Sequence, residues 1–268
     1  MEPTRAPARC DTLIFGASFL GIGAALAANN CIVAESGGIF GAEFVNTYKV
    51  TGNTPIAPKT GLGRTFLAEL KNRKLASEDG CIYQAPAVYV MSKFLKEKPV
   101  DIRFMTELIK IEKNNGLFKV TVYHAKGFET ITAGRLIDTT TLGRGHKKIL
   151  SVNLKKSLNA VIHNPLGNSI ENLYHNELSG LFIYSLEVPI NASRYEAAEK
   201  LLSMENVFKK NEMKITSIAP EFSYAMPAIG ELRSMEKIEE NFSWHPSAGY
   251  ANLAAAFDEG VSIGSAFK

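Results

Sequence analysis

A glycine turn near the start of this chain constrains its fold more than any other feature. Thr12-Leu13-Ile14-Phe15 is a short apolar run suited to a buried parallel strand, and Leu20 through Ala28 is alanine-rich and helical in preference. Between them stands Gly16-Ala17-Ser18-Phe19-Leu20-Gly21, the G-x-G-x-x-G spacing with serine in place of the middle glycine. The first glycine permits a tight turn out of the strand. The third lets the helix pack close to the sheet, so that its N-terminus offers free N–H groups to a diphosphate. Ser18 departs from the pattern where backbone must approach phosphate most closely, although its side chain is small. A second apolar run, Cys31-Ile32-Val33-Ala34, leads to Glu35, 19 residues after Gly16, where an acid accepts hydrogen bonds from a ribose diol. This order of elements predicts an α/β fold with a dinucleotide site. A glutamate favours a ribose without a 2′-phosphate, which it would repel.

The 268 residues are 46% hydrophobic and 21% charged, an ordinary globular composition long enough for one large domain or two small ones. Thirty basic against 27 acidic residues leave +3, too little and too scattered for a nucleic-acid surface. The basic stretch Arg144-Gly145-His146-Lys147-Lys148 reads as a solvated loop. Cys10, Cys31 and Cys81 are far apart and odd in number, which spells neither a zinc site nor a secreted disulfide framework and makes a reducing, cytoplasmic setting the expectation. Arg5 and Arg9 ahead of Leu13–Ala28 imitate a signal peptide. Asp11 opens that run, however, Gly16, Gly21 and Gly23 interrupt it, and another buried strand follows at once. The run is also too short and glycine-rich to span a membrane.

Two families share the opening turn. Gly16-Ala17-Ser18 followed by Gly21-Ile22-Gly23 resembles the short-chain dehydrogenases, which also need a Tyr-x-x-x-Lys pair as general acid. Tyr89 and Lys93 have that spacing but come 73 residues after Gly16, too early for that family, and read instead as part of an amphipathic helix from Val88 to Lys96. The rest of the chain resembles the FAD-dependent oxidoreductases of the glutathione-reductase-like fold with a single dinucleotide domain and an inserted substrate domain. Ser36-Gly37-Gly38 follows Glu35 as a glycine pair follows the ribose-binding acid in many flavoproteins. Val100–Met105, Leu108–Glu112, Phe118–His124 and Glu129–Thr132 alternate with turns at Asn114-Asn115-Gly116 and Lys126-Gly127, like the family's three-stranded meander. Gly134 through Gly143 resembles the family's strand ending Asp-Ala-Thr-Gly, with two residues inserted. Trp244 through Asn252, ahead of a helix from Leu253 to Phe267, resembles the loop and helix that lie against the flavin ring, without the Gly-Asp pair that usually precedes them.

The resemblance implies a Rossmann-like parallel sheet with a three-stranded β-meander, formed by residues 1–150 and 241–268, plus a smaller α+β substrate domain over 151–240. That insert reads as strands Ser157–His163 and Leu181–Val188, a helix Ser193–Met204 and a strand Met213–Ala219. It has no second glycine fingerprint for NAD(P)H. The cofactor implied is FAD, held by Gly16, Ala17, Ser18, Gly21, Glu35, Ser36, Gly38, Leu108, Thr140, Thr141, Ser247, Gly249, Tyr250 and Ala251. His245 is the candidate catalytic residue. His163, His175, Tyr184, Glu221 and Tyr224 are read as packed or surface residues that could also face a substrate. No metal or hydrolytic constellation is spelled out. The expected activity is removal of a hydride from a small organic substrate, with electrons passed to oxygen or another acceptor. An NAD-dependent short-chain-type dehydrogenase and a non-catalytic dinucleotide-binding accessory or sensor protein are the alternatives. The partner expected is a small molecule, with no nucleic acid and no membrane span, and the oligomeric state is open.

Overall fold

A computed structural model describes residues 8–51, 55–143, 154–225, 236–250 and 252–266. The chain is α/β, with one mixed sheet that contains parallel strands and a second, antiparallel sheet. The first half builds β1 (Ala8–Phe15), α1 (Phe19–Ala27), β2 (Cys31–Ala34), α2 (Ala42–Val45), α3 (Gly61–Asn72), α4 (Ala87–Glu97) and β3 (Asp101–Arg103). Next come β4 (Glu107–Asn114), β5 (Leu117–His124) and β6 (Gly127–Asp138). The remainder is β7 (Lys155–His163), β8 (Leu173–Asn176), β9 (Leu181–Val188), α5 (Arg194–Ser203), α6 (Glu205–Lys210), β10 (Lys214–Ile218), β11 (Ser223–Ala225), β12 (Glu236–Glu239), β13 (Phe242–Trp244), a 3-10 turn (Ser247–Gly249) and α7 (Leu253–Ser265).

The large sheet runs β12-β13-β6-β1-β2-β3, parallel from β13 to β3. Thr12–Phe15 of β1 are all buried because the strand lies mid-sheet with both faces covered. The meander begins one strand later than the sequence suggests, since β3 pairs in parallel with β2 and only β4, β5 and β6 form the antiparallel ribbon. The last meander strand and the returning strand at Gly134, read separately in the sequence, are one continuous β6. Its first half pairs with β5, its last residues with β13, and Ile131 to Asp138 with β1. Gly134 allows this strand to run on, because a Cβ there would come within 3.2 Å of the Asp11 carbonyl oxygen on β1.

One core fills the helical side of the large sheet. There Phe19, Phe44, Phe66, Phe94 and Phe257 make edge and tilted ring contacts with centroids 4.4 to 6.2 Å apart. Each buried aromatic contributes roughly 1.5–3 kcal/mol. A second core lies between the sheet and the meander, around Phe118, Val120, Ile131 and Phe242. All nine residues of α1 are buried because α7 crosses it at backbone distance. Cβ atoms at Gly260 and Gly264 would overlap the Leu20 and Ala24 carbonyls.

The antiparallel sheet runs β10-β7-β9-β8 with β11 also on β7, and it packs on α5 and α6 over a third core. It docks on the segment after α2 through polar groups. Asn159 Nδ2 donates to the Thr47 and Tyr48 carbonyls at 2.8 and 3.0 Å, and Tyr48 Oη lies 2.8 Å from Ser217 Oγ. Leu13–Ala28 is thus interior strand and helix. No helix among the described residues is long and apolar enough to cross a membrane. The Arg144–Lys148 stretch lies outside the described residues.

Candidate functional site

A cavity of about 590 Å³ opens at the C-terminal ends of β1 and β2 and is closed on its far side by the segment around β11. Gly16 leaves β1 at φ +91°, a conformation that favours glycine. A Cβ at Gly21 would overlap the Gly16 carbonyl oxygen, so both outer glycines are fixed by geometry. Ser18 caps α1: its Oγ accepts the Gly21 N–H at 2.9 Å and donates to Thr139 Oγ1 at 2.9 Å. The departure from glycine is thereby absorbed into the helix cap.

Glu35 stands beside this turn. Its Oε2 accepts the Ala17 N–H at 2.7 Å and its Oε1 the Gly37 N–H at 2.6 Å, which orients the carboxylate along the cavity wall it lines. Asp138, at the end of β6, accepts Thr140 N–H and Oγ1–H at 2.9 and 2.6 Å, holding Thr140 and Thr141 against the same cavity.

Other residues on the wall escaped the sequence reading. Glu43, on α2, lines the cavity and sits on the N-terminus of α1, where its Oε1 accepts the Phe19 N–H at 2.9 Å and the Ser247 Oγ–H at 2.8 Å. Enclosure pushes this carboxyl up to about 7, against the opposing effect of those hydrogen bonds and of nearby Lys49. Lys49 is itself buried and pushed down to about 8. Its ammonium donates to the Ala248 and Tyr224 carbonyls at 2.7 and 3.2 Å. Arg194, the first residue of α5, reaches the cavity while donating to the Ala219 carbonyl at 2.7 Å. The sequence signal for Glu43 and Lys49 was weak, because their partners lie up to 204 residues away.

Gly16, Ala17, Ser18, Glu35, Ser36, Gly38, Thr140 and Thr141 line the cavity, while Gly21 lies just beneath it in α1. Leu108 does not line it: its side chain packs into the core under the meander, and the neighbouring Glu107 faces the cavity instead. Ser247 meets the cavity through Glu43, and Ala248 lines it. Gly249 and Tyr250 spend their N–H groups within the 3-10 turn, on the Pro246 and Ser247 carbonyls at 3.1 and 3.3 Å, and the Tyr250 ring packs on the main core. Gly249 is not among the left-handed glycines. Ala251 lies outside the described residues.

His245 is 2% exposed, does not line the cavity, and hydrogen-bonds Ser243 Oγ at 3.0 Å. Burial pushes it down to about 4, so the ring is neutral at ordinary pH. Glu221 and Tyr224 do line the cavity, whereas His163, His175 and Tyr184 do not. His175 stacks on Phe182, and Tyr184 points its hydroxyl at Met204 Sδ. Tyr89 is 72% exposed on α4, and Lys93 pairs with Glu69 at 3.1 Å, so neither reaches the site. Cys10, Cys31 and Cys81 are free. No group of three or more metal-ligating side chains occurs among the described residues.

No protein-family model and no curated protein matches the sequence. Solved structures do match. A geranylgeranyl bacteriochlorophyll reductase-like protein from Thermoplasma acidophilum superposes with a TM-score of 0.65 at 11% identity, over 97% of this chain and 78% of that one. The p-nitrophenol 4-monooxygenase of Pseudomonas putida gives 0.59 at 12% identity, over 92% and 77%. A flavoprotein/dehydrogenase from Cytophaga hutchinsonii gives 0.57 at 11% identity, over 96% and 77%. The fold is shared. At this level of identity the likeness is one of architecture.

Proposed function

We propose that this chain is an FAD-dependent oxidoreductase of the glutathione-reductase-like fold that accepts a hydride from a small organic substrate. In this reading residues 1–150 and 241–268 hold the cofactor, and 151–240 form the substrate cap. The observation that carries it is the convergence of the Gly16–Gly21 turn, the N-terminus of α1 and the Glu35 carboxylate on one cavity. The fit to an adenine dinucleotide is specific at the adenosine end: Glu35 is held by two backbone N–H groups with lone pairs left for a ribose diol. Likeness to a flavoprotein/dehydrogenase and to a monooxygenase supports flavin over nicotinamide. So does the distance of Tyr89 and Lys93 from the site.

Bound FAD would supply the hydride and electron transfer. The chain's own residues bind, orient and enclose. Glu35 fixes the ribose, Thr140 and Thr141 border the middle of the cavity, and Phe222 and Tyr224 from the cap side close it toward the substrate. A second reading, a dinucleotide-binding accessory or sensor protein without turnover, is favoured by the N–H groups of Gly249 and Tyr250, which are engaged within their own turn. The absorbance spectrum of the purified protein tests both. Flavin bands that bleach under a candidate reductant support the enzyme, bands that no reductant bleaches support the sensor, and a colourless protein that binds NAD and not FAD overturns the flavin assignment.

A further inference from the structure

The cavity has acid where its ligand would carry negative charge. Glu35, Glu43, Glu107 and Glu221 line it, against Arg194 as the basic side chain among the lining residues. Glu43 is the carboxyl that matters most, because it sits on the N-terminal N–H of α1, the end of a helix that attracts a phosphate. A diphosphate drawn to that helix end meets a carboxylate already there, in a partly enclosed space where like charges are poorly screened. A protonated carboxyl removes the repulsion and becomes a hydrogen-bond donor toward a phosphate oxygen, while still accepting from Phe19 and Ser247. We propose that Glu43 is a specificity-determining residue of this cavity, which takes up the diphosphate of its dinucleotide together with one proton on the Glu43 carboxyl. This rests on the dinucleotide reading above and deepens it.

The other charged and titratable groups facing Glu43 come from every element around it. Lys49 follows α2, Glu35 follows β2, Glu107 opens β4, Arg194 opens α5, and Glu221 and Tyr224 lie on the cap segment. His245, two residues before Ser247, is neutral. Lys49 is a competitor of the same sign, since its ammonium also favours an anion at low pH, and so is any other carboxyl on the wall that takes up a proton beside the diphosphate. The carboxyl's position near 7 places the effect at neutral pH.

The test uses the full chain stripped of nucleotide, with FAD and ADP-ribose as probes, because their diphosphate diesters keep a constant charge across neutrality. Adenosine, which has no phosphate, is the control. For a group that titrates at about 7 in the free protein and is protonated in the complex, the Kd for FAD and ADP-ribose should rise about thirtyfold from about pH 6 to about pH 8.5. Calorimetry in two buffers of different ionisation enthalpy should show uptake of close to one proton on the alkaline side, and adenosine should show neither effect. Glu43→Gln should bind both probes with most of the pH dependence lost, at the wild-type low-pH affinity or tighter. The wild-type calorimetry stands even if that variant does not fold. Wild-type FAD binding without pH dependence or proton uptake overturns the inference and leaves the flavin reading intact. A pH profile of about thirtyfold that persists in Glu43→Gln assigns the linkage to another group facing the cavity and overturns it, as does an equal profile for adenosine. If neither FAD nor ADP-ribose binds at any pH, the dinucleotide reading falls and this inference with it.

Discussion

The turn after β1 and the turn before α7 meet the same cavity from opposite ends of the chain, and they use glycine for different purposes. At the first, Gly16 has a left-handed backbone and Gly21 touches the Gly16 carbonyl, so no side chain can replace either hydrogen. At the second, Gly249 sits in an ordinary 3-10 turn, where the Gly249 and Tyr250 N–H groups bond within the turn. Two N–H groups of the first turn are instead held by side chains that approach from elsewhere, Ala17 by Glu35 and Phe19 by Glu43. A turn held by distant carboxylates can exchange those partners for a ligand, whereas one that closes on itself is a packing device.

The substitution with the largest expected effect is Gly21→Val. The new side chain would have to displace backbone of the turn and of α1, and such overpacking costs about 3 kcal/mol at the upper end of its usual range. Urea denaturation should show that loss together with loss of FAD binding, and a variant with the wild-type midpoint would remove the distinction between the two turns. Glu35→Ala comes next. It should weaken FAD binding by about 1–3 kcal/mol, as expected when hydrogen bonds to a charged acceptor are lost. Affinity equal to wild type in a titration would move the ribose away from β2.

The first turn was legible in the sequence because its logic is local: an apolar strand, two glycines and an acid within 24 residues. The meander was legible for the same reason, with Asn115 and Gly116 both at positive φ, as a tight hairpin requires. Segments organised by distant partners were not. Thr60 caps α3 and was a readable signal for that missed helix, but the loop feeding it is fixed by Asp258 of α7, which accepts the Lys59 and Thr60 N–H groups at 2.8 and 2.9 Å. Nothing local in the sequence marks Glu43. Its place on the N-terminus of α1 exists only once α2, the 3-10 turn and the sheet have come together. Leu108 and His245 show the opposite case, since residues next to the cavity in sequence turn their side chains away from it and are enclosed.

The two turns also differ in how their buried groups respond to pH. Glu43 has its folded pKa raised to about 7, so the folded state holds a proton that the unfolded state has released, and stability falls as pH rises from the ordinary carboxyl value of 4.5 to about 7. His245, beside the second turn, has its folded pKa lowered from 6.5 to about 4, so there the unfolded state binds more protons and stability rises with pH across that interval. Each slope is at most about 1.4 kcal/mol per pH unit, and between pH 4.5 and 6.5 the two oppose each other. Denaturation of the ligand-free protein across that interval should therefore give a rising profile in Glu43→Gln and a falling one in His245→Gln, relative to wild type. Parallel profiles for all three proteins would mean that neither group is enclosed as described.

Gly249→Ala should have the smallest effect, and it tests the second turn most directly. If Gly249 were present because backbone must come close to a cofactor ring, a methyl group there would intrude and FAD affinity would fall while the fold survived. The 3-10 geometry and the hydrogen bond from the Gly249 N–H to Pro246 argue otherwise. In a conformation open to any residue, alanine removes freedom from the unfolded chain and stabilises by about 0.4–1 kcal/mol. The expected result is thus a slightly higher denaturation midpoint with FAD affinity unchanged. A selective loss of flavin in a well-folded Gly249→Ala protein would show that the turn opens on binding and turns its N–H groups to the ring. Both ends of the cavity would then exchange internal partners for the ligand, and the contrast between them would disappear.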